Sequence, residues 1–234
     1  MVYITGDVHR DFTRIYEFTK KHQTTKDDYL IILGDVGLNY YLDESDKLLK
    51  EELKKIPITL LCVQGNHEER PENINTYKIK NLFNGRVFIE EKYPNLIFLK
   101  DGEVYNINNK NVLVIGGAYS IRHDVPKFLK MGYKYFEDEQ PTPLIKEKVL
   151  QVINARNDID IVLTHTCPYK YEPVEAFYIG INQDEVDKST EIFLDKVEEK
   201  INYKRWYCGH FHINKTIDKM IFLFSDVREF DDER

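Results

Sequence analysis

Long apolar runs are absent where a targeting or anchoring segment would need them. The opening MVYITGDVHR reaches a turn within five residues, too soon for a secretory signal or a membrane span, so a cytoplasmic protein with no membrane partner is expected. Cysteine is scarce: Cys62, Cys167 and Cys208 form no CxxC pair, and an odd number argues against a disulfide framework and for reduced, structural thiols. Neither glycine nor proline clusters into a linker, and repeats are missing, so residues 1–234 are expected to form one domain around a sizeable core. Positive charge is in deficit as well. A formal net charge of -7 disfavours a nucleic-acid partner held on a broad basic surface, although Lys78 to Arg86 offers a local patch.

What the sequence does contain is regular. With 42% hydrophobic and 31% charged residues, the charges of both signs interspersed, it has the composition of a soluble globular chain. Three apolar runs each stop at a glycine followed by polar residues: Val2 to Thr5 before GDVHRD, Tyr29 to Leu33 before GDVGLN, and Ile58 to Val63 before GNHEER. Between them, Phe12, Ile15, Tyr16 and Thr19, then Leu48, Leu49, Leu53 and Ile56, recur at helical spacing. This is a β-α-β-α-β opening, which predicts a mainly parallel sheet covered by helices. Further on, Asn95 to Leu99, Glu103 to Ile107 and Val112 to Ile115 are short strands separated by KDG and NNKN, so an antiparallel sheet of hairpins is expected to begin there. Thr142 and Pro143 suit a helix cap and first turn, followed by Leu144, Ile145, Val149, Val152 and Ile153 on one face. A strand from Ile159 to Thr164 ends at His165. A helix from about Ser189 carries Phe193, Leu194, Val197 and Ile201, a strand from Trp206 to Cys208 ends at GHFH, and a hairpin around Asp218 and Lys219 closes the pattern. Two mixed sheets flanked by helices, a four-layer α/β/β/α sandwich, account for all of it.

Ligand sites of open α/β sheets lie beyond the carboxyl ends of the strands, where loops converge. Those ends carry Asp7 and His9, Asp35, Asn66 and His67, His165, and His210 and His212. Carboxylate, imidazole and amide oxygen are borderline-hard donors that suit manganese, iron, zinc, cobalt or nickel, and no thiolate is needed.

These residues resemble the calcineurin-like metallophosphoesterases, whose pattern is GDxHG, GDxxD or GDxx, GNH(D/E), a lone His, and GHxH. The chain reads GDVHR, GDVGLN, GNHEER, THTCP and CGHFH in that order, over nearly its whole length. VLVIGGAYS is similar to the stretch before the lone His in small bacterial and phage members. The resemblance implies one divalent metal held by Asp7, His9, Asp35 and His212. Asp35 would bridge to a second held by Asn66, His165 and His210, with manganese the expected ion and iron, zinc, nickel or cobalt as alternatives. Two such ions, about 3.5–4 Å apart, share a hydroxide with a pKa near neutrality, and that metal-bridging hydroxide is the implied nucleophile on phosphorus. His67 would protonate or stabilise the leaving oxygen. The pair would also cancel about four negative charges locally.

Three departures stand out. Arg10 replaces the usual glycine, so either the loop is altered or the guanidinium has taken up phosphate binding. Leu38 stands where protein phosphatases of the superfamily have an Asp, and Asn39 where they have a phosphate-clamping Arg, which weakens a protein-phosphatase reading. Arg10, Arg70 and Arg122 are candidate replacements for that clamp, and His123 is a further candidate to approach substrate, with an ordinary surface role weighed against it. His22 is read as solvated, Cys62 and Cys208 as core, and Cys167 as a spectator near the metals. The aromatic stretches YKYEPVEAFY and MGYKYF could wall a substrate site; packing of a long loop onto the sheet is the more frequent use of such tyrosines. The expected function is hydrolysis of a phosphomonoester or phosphodiester, leaning to diesters and nucleotides, with a small-molecule or nucleotide substrate favoured. A nuclease, a protein phosphatase or a non-catalytic scaffold of the same fold are the alternatives.

Overall fold

The structure is a computed structural model and describes residues 1–121 and 129–231. Among the described residues, thirteen strands fall into two sheets. The first contains β1 (Val2–Thr5), β2 (Tyr29–Ile32), β3 (Thr59–Cys62), β4 (Tyr77–Leu82), β5 (Gly85–Glu90), β6 (Leu96–Leu99) and β13 (Val227–Glu229), in the order β13-β1-β2-β3-β6-β5-β4. The second contains β7 (Val104–Ile107), β8 (Lys110–Ile115), β9 (Ile161–Thr164), β10 (Arg205–Cys208), β11 (Lys215–Ile217) and β12 (Met220–Phe222), in the order β11-β12-β10-β9-β8-β7. Each sheet has a parallel centre, β1-β2-β3-β6 in one and β12-β10-β9-β8 in the other, with antiparallel strands outside it.

Alternation along the strands builds three apolar layers. Ile31, Leu33, Leu61 and Val63 face Val112, Val114, Ile161 and Leu163 between the sheets. Leu30, Ile32, Leu60 and Cys62 point the other way, onto Phe12 and Ile15 beside α1 (Thr13–His22) and Leu53 of α2 (Glu44–Leu53). On the opposite outer face, Leu113, Ile115, Val162 and Trp206 pack against α3 (Pro143–Ala155) and α4 (Ser189–Glu198) through Val149, Ile153, Phe193 and Leu194. A strand with a covering on both faces must be apolar at every position, which is why these strands read as continuous hydrophobic runs. The result is the expected α/β/β/α sandwich. Thr142 caps α3, its side chain accepting from the Ile145 amide, and Pro143 occupies the first turn.

One expectation changes, and one hairpin is added to those read from the sequence. KDG is not a hairpin within one sheet: β6 belongs to the first sheet and β7 to the second, so this turn carries the chain from one layer to the other. The segment from Lys78 to Arg86 forms the β4–β5 hairpin, turning through Phe83 and Asn84 with φ of 52° and 65°. Such two-residue turns prefer Asn-Gly or Asp-Gly; here the Phe83 ring packs edge-on against Tyr29, with centroids 5.1 Å apart, and holds the unusual residue in place. No helix among the described residues is long and apolar enough to cross a membrane.

Candidate metal centre

All the parallel strands end on the same side, and the loops after β1, β2, β3, β9 and β10 bring Asp7, His9, Asp35, Asn66, His67, His165, His210 and His212 together. Backbone geometry there is unusual for residues with side chains: His9, Arg10, Asp35, His210 and His212 all have φ between 48° and 68°. Such left-handed conformations cost free energy and persist where surrounding contacts enforce them. Close approach of the loops supplies the enforcement. A Cβ on Gly65 would lie 2.1 Å from the Asp35 amide and from Asp35 Oδ1, and one on Gly209 would lie 2.2 Å from Asp7 Oδ1, so neither position can carry a side chain. Asp35 Oδ1 accepts from the amides of Asn66 and His67, both at 2.9 Å, and Asp7 Oδ1 accepts from the His210 amide at 2.9 Å.

Donor atoms crowd at cation-like spacing. His9 Nε2 and His212 Nε2 are 2.9 Å apart, and Asp7 Oδ2 lies 3.2 Å from the latter and 3.6 Å from the former. His165 Nε2 is 2.7 Å from Asn66 Oδ1 and 3.5 Å from Asp35 Oδ1, while Asp35 Oδ2 is 3.7 Å from His9 Nε2. Nitrogen and oxygen donors that share one ion at 2.0–2.2 Å are separated by about 3.0–3.5 Å, and these gaps, 2.7 to 3.7 Å, bracket that spacing. Asp7 Oδ2 is buried and has no hydrogen-bond partner among the described residues, an expensive state for a carboxylate oxygen unless a cation meets it. The two groupings that could hold an ion are Asp7, His9 and His212, and Asp7, Asp35 and His165. The His210 ring sits 5.0 Å from that of His165.

The electrostatics agree. Burial opposes ionisation of Asp7, but the His165, His212 and His9 imidazoles outweigh it and hold the carboxyl below the usual range. Asp35 is likewise held well below that range, burial being overcome by His165, His67 and His9. Without a metal, burial pushes His165 down while the Asp35 and Asp7 carboxylates push it up more, to about 9. Burial, with His165 as the next cause, lowers His210 to about 3, which leaves its imidazole neutral and able to ligate. His165 Nδ1 is 2.7 Å from the Leu33 carbonyl, a contact that assigns the proton to Nδ1 and turns Nε2 toward the centre.

Several supporting residues went unnoticed in the sequence. Ser120, in the loop after β8, accepts from Asn66 Nδ2 at 2.7 Å and so turns the amide oxygen toward His165. Glu68 is fully buried and accepts from the amides of Val36, Gly37 and Gly65, tying the loop after β2 to the loop after β3; burial, followed by the Asp35 charge, raises it to about 7. Arg14 donates to the carbonyls of Gly6 and Asp7, and Phe224 stacks on the His212 ring at 4.5 Å. The sequence carried a signal for two of these: Glu68 is the acidic position of the GNH(D/E) pattern but was given no role, and Ser120 ends the VLVIGGAYS segment without being singled out.

The remaining candidates separate. Arg10 donates to the Gly37 carbonyl at 2.6 Å and pairs with Asp46 at 2.5 Å, so its guanidinium braces the loop after β2. Arg70 is 3% exposed and bound to Asp101 at 2.7 Å and to the carbonyls of Asp138 and Gln140, an anchor in the core and not a residue of the cleft wall. Arg122 and His123 lie outside the described residues. Asn39 is buried, its Oδ1 accepting from Lys50 Nζ and Tyr77. His22 is exposed and stacks on Phe18. The three cysteines are free and buried.

A cleft of about 750 Å³ opens over the centre, lined by His9, Asp35, Asn66, His67, His210 and His212 on one side. Its other walls include Tyr40, Tyr119, Tyr133, Phe177, Tyr178 and Phe211. Tyr133, Phe177 and Tyr178 come from the two aromatic stretches, so these residues wall the cleft in addition to any packing role; Phe136 of the same stretch is buried.

A two-sheet sandwich with Asp, Asn and His side chains gathered where its parallel strands end defines a class of metal-binding protein. The chain belongs to the calcineurin-like phosphoesterase family, which it matches over residues 1–214. Membership implies metal-dependent hydrolysis of a phosphoester. Among solved structures, TT1561 of Thermus thermophilus is similar at a TM-score of 0.50 and 14% identity, covering 95% of this chain and 87% of that one. The phosphopantetheinyl hydrolase PptH from Mycobacterium tuberculosis is similar at a TM-score of 0.48 and 13% identity, with the same coverage, 95% and 87%. The likeness to TT1561 concerns the fold alone. No curated protein matches the chain.

Proposed function

We propose that the protein is a dinuclear-metal phosphoesterase of the cytoplasm acting on a small phosphodiester or nucleotide, with residues 1–234 working as one domain. The observation that carries this reading is the placement of Asp35, whose Oδ2 faces His9 while its Oδ1 faces His165, so one carboxylate spans two donor groups. Asp7, His9 and His212 would complete one site, and Asn66, His165 and His210 the other. Ions bound there would act as Lewis acids on the phosphoryl group and supply a nucleophile from water near neutral pH, with manganese suited to this donor set.

Chain residues would do the rest. Asp35, fixed by two amide donors, keeps the two donor groups at a constant separation. His67 is half-buried on the cleft wall, its backbone tied to Asp35 and its ring 5.6 Å from the His9 ring, which suits it to deliver a proton to the leaving oxygen. No arginine is found among the described residues of the lining, and the cations there are Lys134 and Lys188. A monoanionic diester asks for less charge compensation than a dianionic monoester, which favours the diester. A largely apolar cleft with several aromatic side chains in its walls suits a small molecule, whereas Lys78, Lys80 and Arg86 sit on the β4–β5 edge hairpin and do not line it.

The test is hydrolysis of chromogenic mono- and diesters by protein reloaded with Mn(II), alongside metal analysis. Activity is expected in the wild type, with at least about 100-fold loss in His67→Ala at unchanged metal content and loss of both metal and activity in Asp35→Asn. A metal-loaded wild type inert on both panels would refute the proposal.

A further inference from the structure

Glu191 lies in the first turn of α4 and is 4% exposed. Its Oε1 accepts from Thr166 Oγ1 at 2.8 Å, next to His165 in the chain, which places this carboxylate beside the metal-ligand loop. The other oxygen, Oε2, is buried and has no hydrogen-bond partner among the described residues, yet Glu191 is one of the residues that line the cleft. An orphaned buried acceptor of this kind is unfavourable, and nothing in the chemistry assigned to the metal centre uses it. Apolar groups share the cleft lining with it: Phe177 and Phe211 lie with an angle of 30° between their planes, and Ile181, Val186 and Ile213 line the same cleft. Lys188 also borders the cleft but is committed to Glu172 at 2.7 Å and to the face of Phe177.

We infer that this wall recognises the leaving group of the phosphoester, that the leaving group carries an amino-substituted nucleobase, and that Glu191 Oε2 accepts from the exocyclic N–H of the base. The inference rests on the phosphoesterase reading and names its substrate class. Aromatic faces select a planar ring, and the unpartnered acceptor selects a donor on that ring. An acyl chain would satisfy the walls and leave Oε2 orphaned; a sugar would supply the donor without the flat face. The cleft, at about 750 Å³, is of the size that encloses a single small ligand. Glu191 is thus a specificity-determining residue, touching the base and not the reacting atoms.

Adenosine and purine riboside differ only in the amino group and serve as the probes. With Mn(II)-loaded wild type hydrolysing bis(p-nitrophenyl) phosphate at pH 8.5, where Glu191, raised by burial to about 7, is ionised, adenosine should inhibit competitively about tenfold or more better than purine riboside, the weight of one hydrogen bond to a charged acceptor. Calorimetric binding of the two nucleosides should show the same ratio. In Glu191→Ala the ratio should fall to near one, and Glu191→Gln, which keeps the shape and one acceptor oxygen, should retain part of it. Equal inhibition and equal binding in the wild type overturn the inference, as does a ratio that survives in Glu191→Ala; if that variant does not fold, the wild type and Glu191→Gln decide. Should the wild type hydrolyse no ester while still preferring adenosine in the calorimeter, the phosphoesterase reading falls and the base pocket stands.

Discussion

Replacing Ser120 by alanine tests whether the metal centre depends on a residue outside the ligand set. The hydroxyl accepts from Asn66 Nδ2 at 2.7 Å in a buried setting, so its removal leaves one amide N–H without a partner. That costs about 1–3 kcal/mol of stability in the metal-free protein. A second cost arises only with metal. Once unpinned, the Asn66 amide can rotate and present nitrogen in place of Oδ1 beside His165, and loss of such an orienting contact weakens metal affinity about 10–100-fold. At saturating metal this removes a further 1.4–2.7 kcal/mol, approximately, of binding-linked stabilisation. Urea denaturation of wild type and Ser120→Ala, each with EDTA and with excess Mn(II), isolates the two parts. The expected result is a larger deficit in the manganese arm than in the EDTA arm, and a metal titration shifted by one to two decades. Equal deficits in both arms would mean that Ser120 only fills space, and the orienting argument would be wrong.

Other consequences follow from the same geometry. Gly65→Ala places a Cβ 2.1 Å from Asp35 Oδ1 and should lower stability by about 3 kcal/mol while abolishing metal retention, read by thermal unfolding and metal analysis. In the metal-free protein His165 is raised from an ordinary 6.5 to about 9, so its contribution is complete below pH 6.5 and is lost as pH rises through 9. Metal-free stability should therefore drop by something on the order of 3 kcal/mol over that window, and metal uptake near pH 7.5 should release a proton, detectable by calorimetry in buffers of different ionisation enthalpy; a flat pH profile would contradict the assignment. Arg70→Ala leaves Asp101 buried without its partner and should destabilise by about 3–5 kcal/mol, with the folded fraction keeping wild-type turnover; selective loss of turnover would instead make Arg70 a phosphate clamp.

Local pattern was enough to pick out the side chains that the fold gathers because each stands directly after an apolar strand, and a glycine where loops must touch is a signal visible within a few residues. What sequence did not reveal is what depends on distant partners. Sheet membership of β6 and β7 is decided by neighbours across the sandwich, and KDG looks the same whether it closes a hairpin or links two layers. Phe83 masked the β4–β5 turn because its backbone conformation is tolerated through a contact with Tyr29, far away in the chain. Ser120 acts on a residue 54 positions earlier, and no spacing rule reaches that far. Arg10 and Arg70 drew attention as spare cations, but their carboxylate partners Asp46 and Asp101 were invisible until the chain was folded.

His9 and His212, whose ring nitrogens nearly touch, are 203 residues apart in the chain. During synthesis the loops after β1, β2 and β3 leave the ribosome long before the last histidine exists. If His212 completes the metal site proposed above, a chain that stops short of residue 212 cannot assemble the full ligand set, and a tightly bound ion would report that every one of those loops was made.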